Sequence, residues 1–458
     1  MSSYQHSIFL FHRDLRLEDN SGLIAALKQS KVVYPVFILD PHLLRPNNPN
    51  PHSIEFMVES LEELHQTLVE KDSGLILLSG KPEIVIQDII QEFKIEAVFE
   101  NMDYSPYARF RGDKLQAVCR EHQIKFCQES DYMLTNPLEI FNGTGKRYQV
   151  FTYFFKKAKK YHVASIQNND STNYYTDTSK ISQLHHLEDM LEQGNPELAI
   201  HGGRRQALKI LEDLPSLSSY NERRDIPADT GGTTHLSAHL KFGTVSIREV
   251  YHAIKRTLGE DHPLLRQLYW RDFYMYLSIH YPHVFSHSFK RKYSRIDWEN
   301  DPKKFQRWCD GMTGFPIVDA GMRQLNTTGF MHNRVRMTVA SFLVKDLHID
   351  WKWGEEYFSQ KLVDYDIMVN NGNWQWAAST GADSQPYFRI FNPWSQQKKF
   401  DPDCEYIKTY IPELQDLPPA AIHKLSKQRP LTLMTYPKPM INHKQRSQEA
   451  KNKFKAIG

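Results

Sequence analysis

Aromatic, amide and basic side chains that could hold a flat ligand are concentrated in the last third of this 458-residue chain. In the segment MHNRVRM, Asn333 and Met337 are four residues apart and would share one face of a helix. Asp366, Asn370 and Trp374 are also spaced by four, so a helix would align a carboxylate, an amide and an indole. Trp and Arg side chains stack on flat rings, and Arg also binds anionic groups. This combination favours a binding site for a planar, anionic molecule.

A second aromatic cluster lies in the segment LLRQLYWRDFYMYLSIHY, whose spacing predicts a helix. One face of that helix would carry Trp270, Phe273, Tyr274 and Leu277. An aromatic stripe of this kind is more often packed in a core than placed in a ligand site. Arg271 and Gln267, which lie close to Trp270 in the sequence, favour a role in binding.

Charged residues in the same part of the chain indicate ion pairs. Arg334 and Arg336 are two residues apart, so on a helix they point in different directions and each needs its own anionic partner. Asp364 and Asp366 are available nearby. An isolated Arg–Asp pair is more often a structural salt bridge than part of a site. Gly372 weakens the case for a straight helix through NNGNWQW.

Length and composition place the chain among multidomain globular proteins. Its 458 residues predict two or three domains, and 40% hydrophobic and 24% charged residues are typical of soluble proteins. Neither a signal peptide nor an apolar stretch of about 18 residues is visible, so we expect no membrane segment. The expected location is cytoplasmic, nucleoid-associated in a prokaryote or nuclear in a eukaryote. The four cysteines show no CxxC pair and no metal-ligand spacing, which favours reduced thiols over disulfides or zinc.

The first part of the chain has the pattern of a parallel α/β domain. Strands are predicted at 8–11, 32–39, 75–78, 97–100 and 125–128, and helices at 21–29, 53–70, 82–93 and 107–121. This alternation predicts βαβ crossovers and a doubly wound parallel sheet over residues 1–130. The first turn, HRDLRLEDN, has no GxGxxG sequence, and the chain has no Walker A sequence. A standard dinucleotide or ATP site is therefore not expected there.

The patterning changes after residue 130. Residues 131–200 carry turn-forming and polar runs, which predict a long surface connection with a basic cluster, KKAKK, at 156–160. Residues 201–458 have helical periodicity and contain all eight tryptophans. We therefore expect an all-α second domain that carries the chemistry. The net charge of +3 permits binding to DNA without requiring it.

The series WRDFY, MHNRVRM, DYD and NNGNWQW resembles the photolyase/cryptochrome family, and most specifically its class I cyclobutane pyrimidine dimer photolyases. The resemblance runs from HRDLRLEDN to KFDPDCEYIKTYIPEL and covers nearly the whole chain. It implies an α/β N-terminal doubly wound parallel-sheet domain for an antenna and an all-α C-terminal FAD-binding domain. It also implies light-driven repair of pyrimidine dimers in double-stranded DNA, by electron transfer from excited, reduced FAD. We expect a monomer without an obligate protein partner.

The resemblance implies an FAD site in the helical domain. The matching positions are Tyr220, Thr233, Thr234, His235, Leu236, Ser237, Arg271, Asn333, Arg336, Asp364, Asp366 and Asn370. Backbone amides and hydroxyl groups in the 233–237 turn suit phosphate oxygens. Asn370 would offer a neutral amide to the central flavin nitrogen, where a carboxylate would disfavour an extra electron. Arg336 paired with Asp364 would stabilise the reduced, anionic flavin.

Three further sets of residues match the family. The electron relay from the surface to the flavin matches Trp298, Trp351 and Trp374, although any single buried tryptophan is more often core packing. The lesion pocket matches Trp270 and Trp376 as stacking walls, with Asn333 and Met337 lining it. Contacts to DNA phosphates match Arg224, Arg334 and Arg389.

The expected lesion site departs from the family at Gln267, where dimer photolyases usually have Glu. Gln keeps the hydrogen bonding to the lesion and loses the charge. Gln at this position also occurs in enzymes that repair the six-four photoproduct, but those enzymes have His at the positions of Asn333 and Met337. Because this chain lacks both histidines, the cyclobutane dimer is the expected substrate.

The expected antenna is a deazaflavin or a flavin rather than a folate. Ala108 stands nearest the place of the glutamate that folate-binding relatives use, and Asp103 and Lys241 match positions that contact a deazaflavin. An empty cleft is the alternative.

Two other functions compete with repair. A cryptochrome, a flavin photoreceptor without repair activity, would predict a long C-terminal extension, whereas this sequence ends in a short basic tail, HKQRSQEAKNKFKAIG. A flavoprotein oxidoreductase would need a nicotinamide site, and the sequence shows none.

Overall fold

The amino-terminal part of the protein is built around a five-stranded parallel sheet with strand order β3-β2-β1-β4-β5. The computed structural model describes residues 3–44, 49–191, 194–384, 388–427 and 435–457. The strands are β1 (Tyr4–Phe11), β2 (Ser30–Leu39), β3 (Ile76–Ser79), β4 (Ala97–Asn101) and β5 (Lys125–Glu129). The helices of this part are α1 (Ser21–Gln29), α2 (Pro41–Leu44), α3 (Pro51–Val69), α4 (Pro82–Phe93) and α5 (Pro106–Glu121).

Strand β1 lies at the centre of the sheet because its apolar run is buried on both faces. Ile8 pairs with Tyr34 of β2 on one side and with Val98 of β4 on the other. Continuous apolar runs of this kind are typical of parallel sheets that helices cover on both sides. The predicted doubly wound α/β domain is confirmed. The chain order reverses between β1 and β4, where such sheets place ligands at the carboxyl ends of their strands.

The segment between the two halves is more than a surface connection. It contains α6 (Phe151–Ala158) and α7 (His185–Leu191). Phe151 and Phe154 of α6 are buried in the helical core, and Tyr174 forms a bridge to Val33 of β2. The expectation of a surface connection overlooked these apolar side chains because polar residues dominate the segment. The domain boundaries at residues 130 and 200 stay a prediction.

The rest of the described chain is helical. Its α-helices are α8 (Arg204–Glu212), α9 (Tyr220–Arg223), α10 (Ser237–Phe242), α11 (Ile247–Leu258), α12 (Pro263–His280), α13 (Pro302–Cys309), α14 (Pro316–Thr328), α15 (Asn333–Lys345), α16 (Trp351–Lys361), α17 (Ile367–Ala378), α18 (Pro393–Phe400), α19 (Glu405–Tyr410), α20 (Pro419–Ile422) and α21 (His443–Ala456). Short 3₁₀ helices at 178–180, 214–217, 230–232, 282–285, 291–295 and 412–414 complete the described elements. The predicted all-α second part is confirmed. No helix among the described residues combines the length and apolar character needed to cross a bilayer.

Helix α17 is continuous through Gly372. The sequence alone left the continuity of this helix at Gly372 open. A Cβ atom at this position would lie only 2.2 Å from the Tyr274 ring of α12. The glycine therefore allows the two helices to approach closely, and it does not break α17.

Buried ion pairs join the α/β part to the helical part. Arg248 of α11 donates to Asp19 at 3.0 Å and to Asp131 at 2.6 Å. Arg16, which follows β1, donates to the same Asp131 at 2.6 Å and to the carbonyl oxygen of Gly243 at 3.1 Å. Burial alone would raise the pKa of Asp131, but its two arginine partners outweigh burial and hold that pKa far below its ordinary value.

Candidate functional site

A cavity opens between α10, α12, α15, α16 and α17. Of the residues expected to bind FAD, its lining includes Thr234, Leu236, Ser237, Arg271, Asn333, Arg336, Asp364, Asp366 and Asn370. Of the residues expected at the lesion or in the relay, it includes Gln267, Met337, Trp376 and Trp374. The structure therefore brings most of both sets to one place, although they come from segments that are far apart in the sequence.

Apolar side chains complete the cavity wall, and they were not predicted. They are Leu240, Val250, Ile254, Leu264, Leu268, Ala340, Phe358, Leu362, Val369 and Ala377. In a sequence these residues look like ordinary core positions, because helical periodicity does not separate a residue that lines a cavity from one that fills a core. Their effect is to surround a few polar groups with a low-dielectric wall, as is usual for a cofactor site.

Arg336 forms the ion pair expected from the sequence. Its guanidinium donates two hydrogen bonds to Asp364, at 3.1 and 2.9 Å, and its Nε donates to the carbonyl oxygen of Met331 at 2.6 Å. A bidentate pair of this kind holds both side chains in one orientation. Since both residues line the cavity, the pair presents a fixed, nearly neutral polar unit to whatever binds there.

Arg334 points away from Arg336, as the helical spacing predicted, and it has a different partner. It donates to Asp225 at 2.7 Å, and its guanidinium lies 4.4 Å from the centre of the Phe400 ring. Asp225 was not foreseen because it lies 109 residues away in the sequence. The charge of Arg334 is thus already shared with a carboxylate, which weakens it as a contact for DNA phosphates.

Asp366 connects the cavity to the α/β part. As the N-cap of α17, its side chain accepts hydrogen bonds from the backbone N–H groups of Met368 and Val369 at 2.9 and 3.1 Å. Its other oxygen accepts from the Tyr132 hydroxyl at 2.9 Å and from the guanidinium of Arg13. Burial alone would raise the pKa of Asp366, but nearby arginine charges and these amide bonds outweigh it and lower the pKa.

The two residues expected at the antenna lie close to this junction. Asp103 accepts from Arg13 at 3.4 Å, and Lys241 both lines the cavity and donates to Ser53 at 3.3 Å. Burial, together with the charge of Arg13, lowers the pKa of Lys241 well below its ordinary value. Lys241 therefore belongs to the wall of this cavity.

The amide of Asn370 is held by a neighbouring helix. Its Nδ2 donates to the backbone carbonyl of Glu355 on α16 at 3.3 Å, and the residue is 9% exposed. Burial raises the pKa of the Glu355 side chain to about 7. Glu355 was not predicted, and only the packing of α16 on α17 places it beside the site.

The three tryptophans expected in the relay differ in burial. Trp374 lines the cavity and is 2% exposed, Trp351 is 1% exposed, and Trp298 is half-buried. Gly354 on α16 lets Trp374 pack closely, since a Cβ atom there would lie 2.2 Å from the indole. The helix that begins at Trp351 therefore rests directly on Trp374.

The two expected stacking walls differ in their surroundings. Trp376 lines the cavity, and the guanidinium of the exposed Arg389 lies 5.2 Å from the centre of its ring. Trp270 lies outside the lining and stacks on Phe151 of α6, with ring centres 3.6 Å apart and planes 8° apart. Phe151 covers one face of this indole, and it was missed because it falls in the segment expected to be a surface connection.

Three residues expected to bind FAD lie outside the cavity lining: Tyr220, Thr233 and His235. Tyr220 is buried at the start of α9, and the guanidinium of Arg224 lies 5.6 Å from the centre of its ring. His235 has a positive φ of 53° and a hydrogen bond of 2.9 Å between its Nε2 and the carbonyl oxygen of Thr230. This bond holds the 230–237 turn in shape beside Thr234 and Ser237.

Among the described residues that line the cavity there is no histidine. His332, which precedes Asn333, is the N-cap of α15, and its Nδ1 accepts from the N–H of Arg334 at 3.2 Å. Burial lowers the pKa of His332 to about 4, so its ring is neutral near pH 7.

Comparison with known proteins agrees with this geometry. Residues 7–171 match the family model for DNA photolyase, and residues 264–456 match that for the FAD binding domain of DNA photolyase. A deoxyribodipyrimidine photo-lyase from Synechococcus is 37% identical to the chain, over 98% of the chain and 96% of the relative. The chain belongs to the photolyase/cryptochrome family.

Solved structures show the same fold over the whole length. The archaeal photolyase from Sulfolobus tokodaii, whose crystals contain two FAD molecules, is 40% identical, with a TM-score of 0.89 over 99% of this chain and all of that one. A cryptochrome from Synechocystis is 26% identical, with a TM-score of 0.88 over 99% of each chain. The chain therefore has an FAD-binding domain and is an enzyme of the photolyase type.

The residues of the cavity fit FAD. The hydroxyl groups of Thr234 and Ser237 suit phosphate oxygens. The guanidinium of Arg271 faces the cavity, and burial lowers its pKa although Asp272 and Asp366 lie close, so an anionic ligand would stabilise its charge. Apolar side chains and Trp374 provide surfaces for flat rings.

The contact between α12 and α17 can be tested at Gly372. We expect Gly372→Ala to lower the free energy of unfolding by about 1–3 kcal/mol, because the added methyl group collides with Tyr274 and strains the packing. The variant should also retain less flavin, since α17 carries Asn370 and Trp374. Denaturant unfolding and the flavin content after gel filtration measure both effects. Gly143→Ala is the control, because no atom lies within 4 Å of the position that its Cβ would take. Equal stability of the two variants would contradict the proposed close contact.

Proposed function

We propose that this protein is a class I photolyase that repairs cyclobutane pyrimidine dimers in double-stranded DNA. The observation that carries the proposal is that Asn333, Met337 and Trp376 line the same cavity as the expected flavin residues. A lesion turned into this cavity would lie against the bound cofactor. Reduced FAD held there would supply one electron to the dimer under light and recover it after the ring has opened.

In this proposal the side chains of the cavity hold and orient the cofactor. The Arg336–Asp364 pair and the Asn370 amide offer fixed polar groups to the flavin ring system, and Arg271 with the hydroxyl groups of Thr234 and Ser237 binds the phosphates. Apolar walls exclude water, which strengthens each polar contact. The proposed reaction needs no protein acid, and the described lining contains no histidine.

Binding of DNA would begin at the rim of the cavity. Turning the dimer, which joins two adjacent bases of one strand, out of the duplex costs a few kcal/mol, least for bases already distorted. Stacking on Trp376 repays part of that cost, and the exposed Arg389 beside it can contact a phosphate. Arg224 is a second phosphate candidate, whereas Arg334 is the weakest because Asp225 pairs with it. Trp270 would offer the lesion a second stacking surface, and Phe151 fixes the plane of its ring.

The choice of substrate is the direct test. We expect reduced enzyme to restore a cyclobutane dimer in a defined oligonucleotide under near-ultraviolet or blue light, and to leave a six-four photoproduct unchanged. The six-four reaction needs a proton donor, and Asn333 and Met337 cannot supply a proton. Trp376→Ala should weaken binding of the dimer by about 1–3 kcal/mol, whereas Trp376→Phe keeps most of the stacking. Repair of the six-four lesion, or no repair of the dimer, would refute the assignment. A cryptochrome would give the second result.

The tryptophan relay belongs to the same proposal. We expect Trp298→Phe to block the photoreduction of oxidised flavin and to leave repair by already reduced enzyme intact, because Phe fills similar space and is much harder to oxidise. Absorption spectra recorded during illumination measure the first activity, and dimer repair measures the second. Trp353→Phe serves as the control, because Trp353 of α16 is also half-buried and is not part of the proposed relay. If both activities of Trp298→Phe fell equally, the residue would be structural.

For the antenna we propose a deazaflavin or a flavin. The structure with two FAD molecules from Sulfolobus tokodaii supports a second flavin in a close relative. Arg111 is 6% exposed beside Glu100 and Asp103, near the carboxyl end of β4, and its buried Nε has no hydrogen-bond partner in the described structure. A polar ligand at the sheet edge would satisfy that group.

Arg111 gives a sharper test of the antenna than Lys241, which lines the flavin cavity. We expect protein expressed with excess flavin or deazaflavin to bind a second chromophore with near-blue absorbance. Arg111→Met should remove that chromophore and keep the FAD, because it takes away the buried donor. Arg120→Met, on the exposed side of the same helix, should change neither. A second band that survives in Arg111→Met, or a bound folate, would show that the cleft was misassigned.

A further inference from the structure

Helix α21 covers the outermost tryptophan of the proposed relay. The ring of Phe454 lies 6.2 Å from the ring of Trp298, centre to centre, with planes at 71°. Phe454 is 8% exposed and forms a small cluster with Tyr293 and Ile296 against which Trp298 packs. Trp298 also packs against the main helical core. The half-buried indole therefore contacts both that core and α21, and α21 supplies part of its cover.

Polar contacts attach α21 to the two chain neighbours of Trp298. Arg446 donates to the carboxylate of Glu299 at 2.8 Å, and Lys453 donates to the backbone carbonyl of Asp297 at 2.9 Å. Arg446 also donates to the backbone carbonyl of Asp346 at 2.8 Å, which ties the helix to the end of α15. These bonds place Phe454 over Trp298 and fix the position of the helix.

The cover over the Trp298 indole matters because oxidised Trp298 must regain one electron. When light drives an electron inward from Trp298, this residue is oxidised by one electron. That electron can return from the interior, which cancels the reduction. Alternatively, a reductant in solution, such as a small thiol, gives one electron to Trp298 and is itself oxidised by one electron. Only the second route completes photoreduction, and it needs contact between the reductant and the indole.

We propose that α21 controls the access of small reductants to Trp298, with Phe454 as the covering side chain. The proposal rests on the relay described above. While α21 is docked, thiols reach Trp298 slowly and the inward electron tends to return. Displacement of α21 uncovers the indole and raises the yield of photoreduction. Phe454 thus acts through Trp298 as a positioning residue, and the repair step does not involve it.

The protection of Trp298 by α21 can be measured in the dark, without any flavin chemistry. We expect hydroxyl-radical oxidation of Trp298, read by mass spectrometry, to be several-fold faster in Phe454→Ala than in the unchanged protein. Lys455→Ala, an exposed neighbour on the same helix, should leave the rate unchanged, and Phe454→Leu should be intermediate. Trp351, which is 1% exposed, reports on the fold and should stay protected in every variant. If Phe454→Ala does not fold, Arg446→Met, which releases α21 from Glu299, takes its place.

The consequence for electron supply is measured under light. After a laser flash, the oxidised tryptophan should react with dithiothreitol several-fold faster in Phe454→Ala than in Lys455→Ala, with repair by reduced enzyme unchanged in both. Equal dark oxidation of Trp298 in these two variants, or faster dark oxidation without a faster reaction with thiol, would overturn the proposal. If Trp298→Phe photoreduces normally, the relay itself is wrong, and the dark measurement still reports the cover independently.

Discussion

The arrangement of this protein depends on buried charges that are paired across its two halves. Arg16, Asp131, Arg248 and Asp19 form one continuous network, and Arg13 with Asp366 forms a second link. A buried charge without a partner costs several kcal/mol, so the two halves are held where each guanidinium meets its carboxylate. Apolar packing alone would tolerate small shifts between them, and the ion pairs restrict that freedom.

Asp366 transmits this constraint into the cavity. One of its oxygens caps α17, and the other receives Arg13 from the loop after β1. The direction of α17 is therefore coupled to the edge of the sheet, and with it the positions of Asn370 and Trp374. Gly372 then allows the helix to lie directly on Tyr274. A ligand at the sheet edge and a ligand in the cavity would therefore be coupled through Arg13, Asp366 and helix α17.

The chemistry of the cavity follows from what surrounds its polar groups. Apolar side chains lower the local dielectric, so the bidentate Arg336–Asp364 pair and the desolvated Arg271 act strongly on a bound anion. The described lining offers fixed dipoles and stacking surfaces, and it offers no imidazole for proton transfer. Such a site suits a reaction in which an electron moves and the protein mainly holds the partners in place. Trp374 belongs to this wall, and Gly354 of α16 packs directly on its indole.

The sequence by itself determined the elements and the types of chemical groups. Local patterns are enough for this, because strand and helix periodicity, caps and turns act over a few residues, and the boundaries of the sheet strands agree within a few positions. The family resemblance also implied the partner of Arg336, because Asp364, 28 residues away, belongs to the same motif series. Pairs between distant segments were decided by tertiary structure alone. Arg13 and Asp366 are 353 residues apart, Phe151 meets Trp270 through a helix hidden in a polar segment, and Phe454 reaches Trp298 from the last helix. No local pattern encodes such contacts, because they exist only after both halves have packed and each buried charge or ring has found the surface that stabilises it.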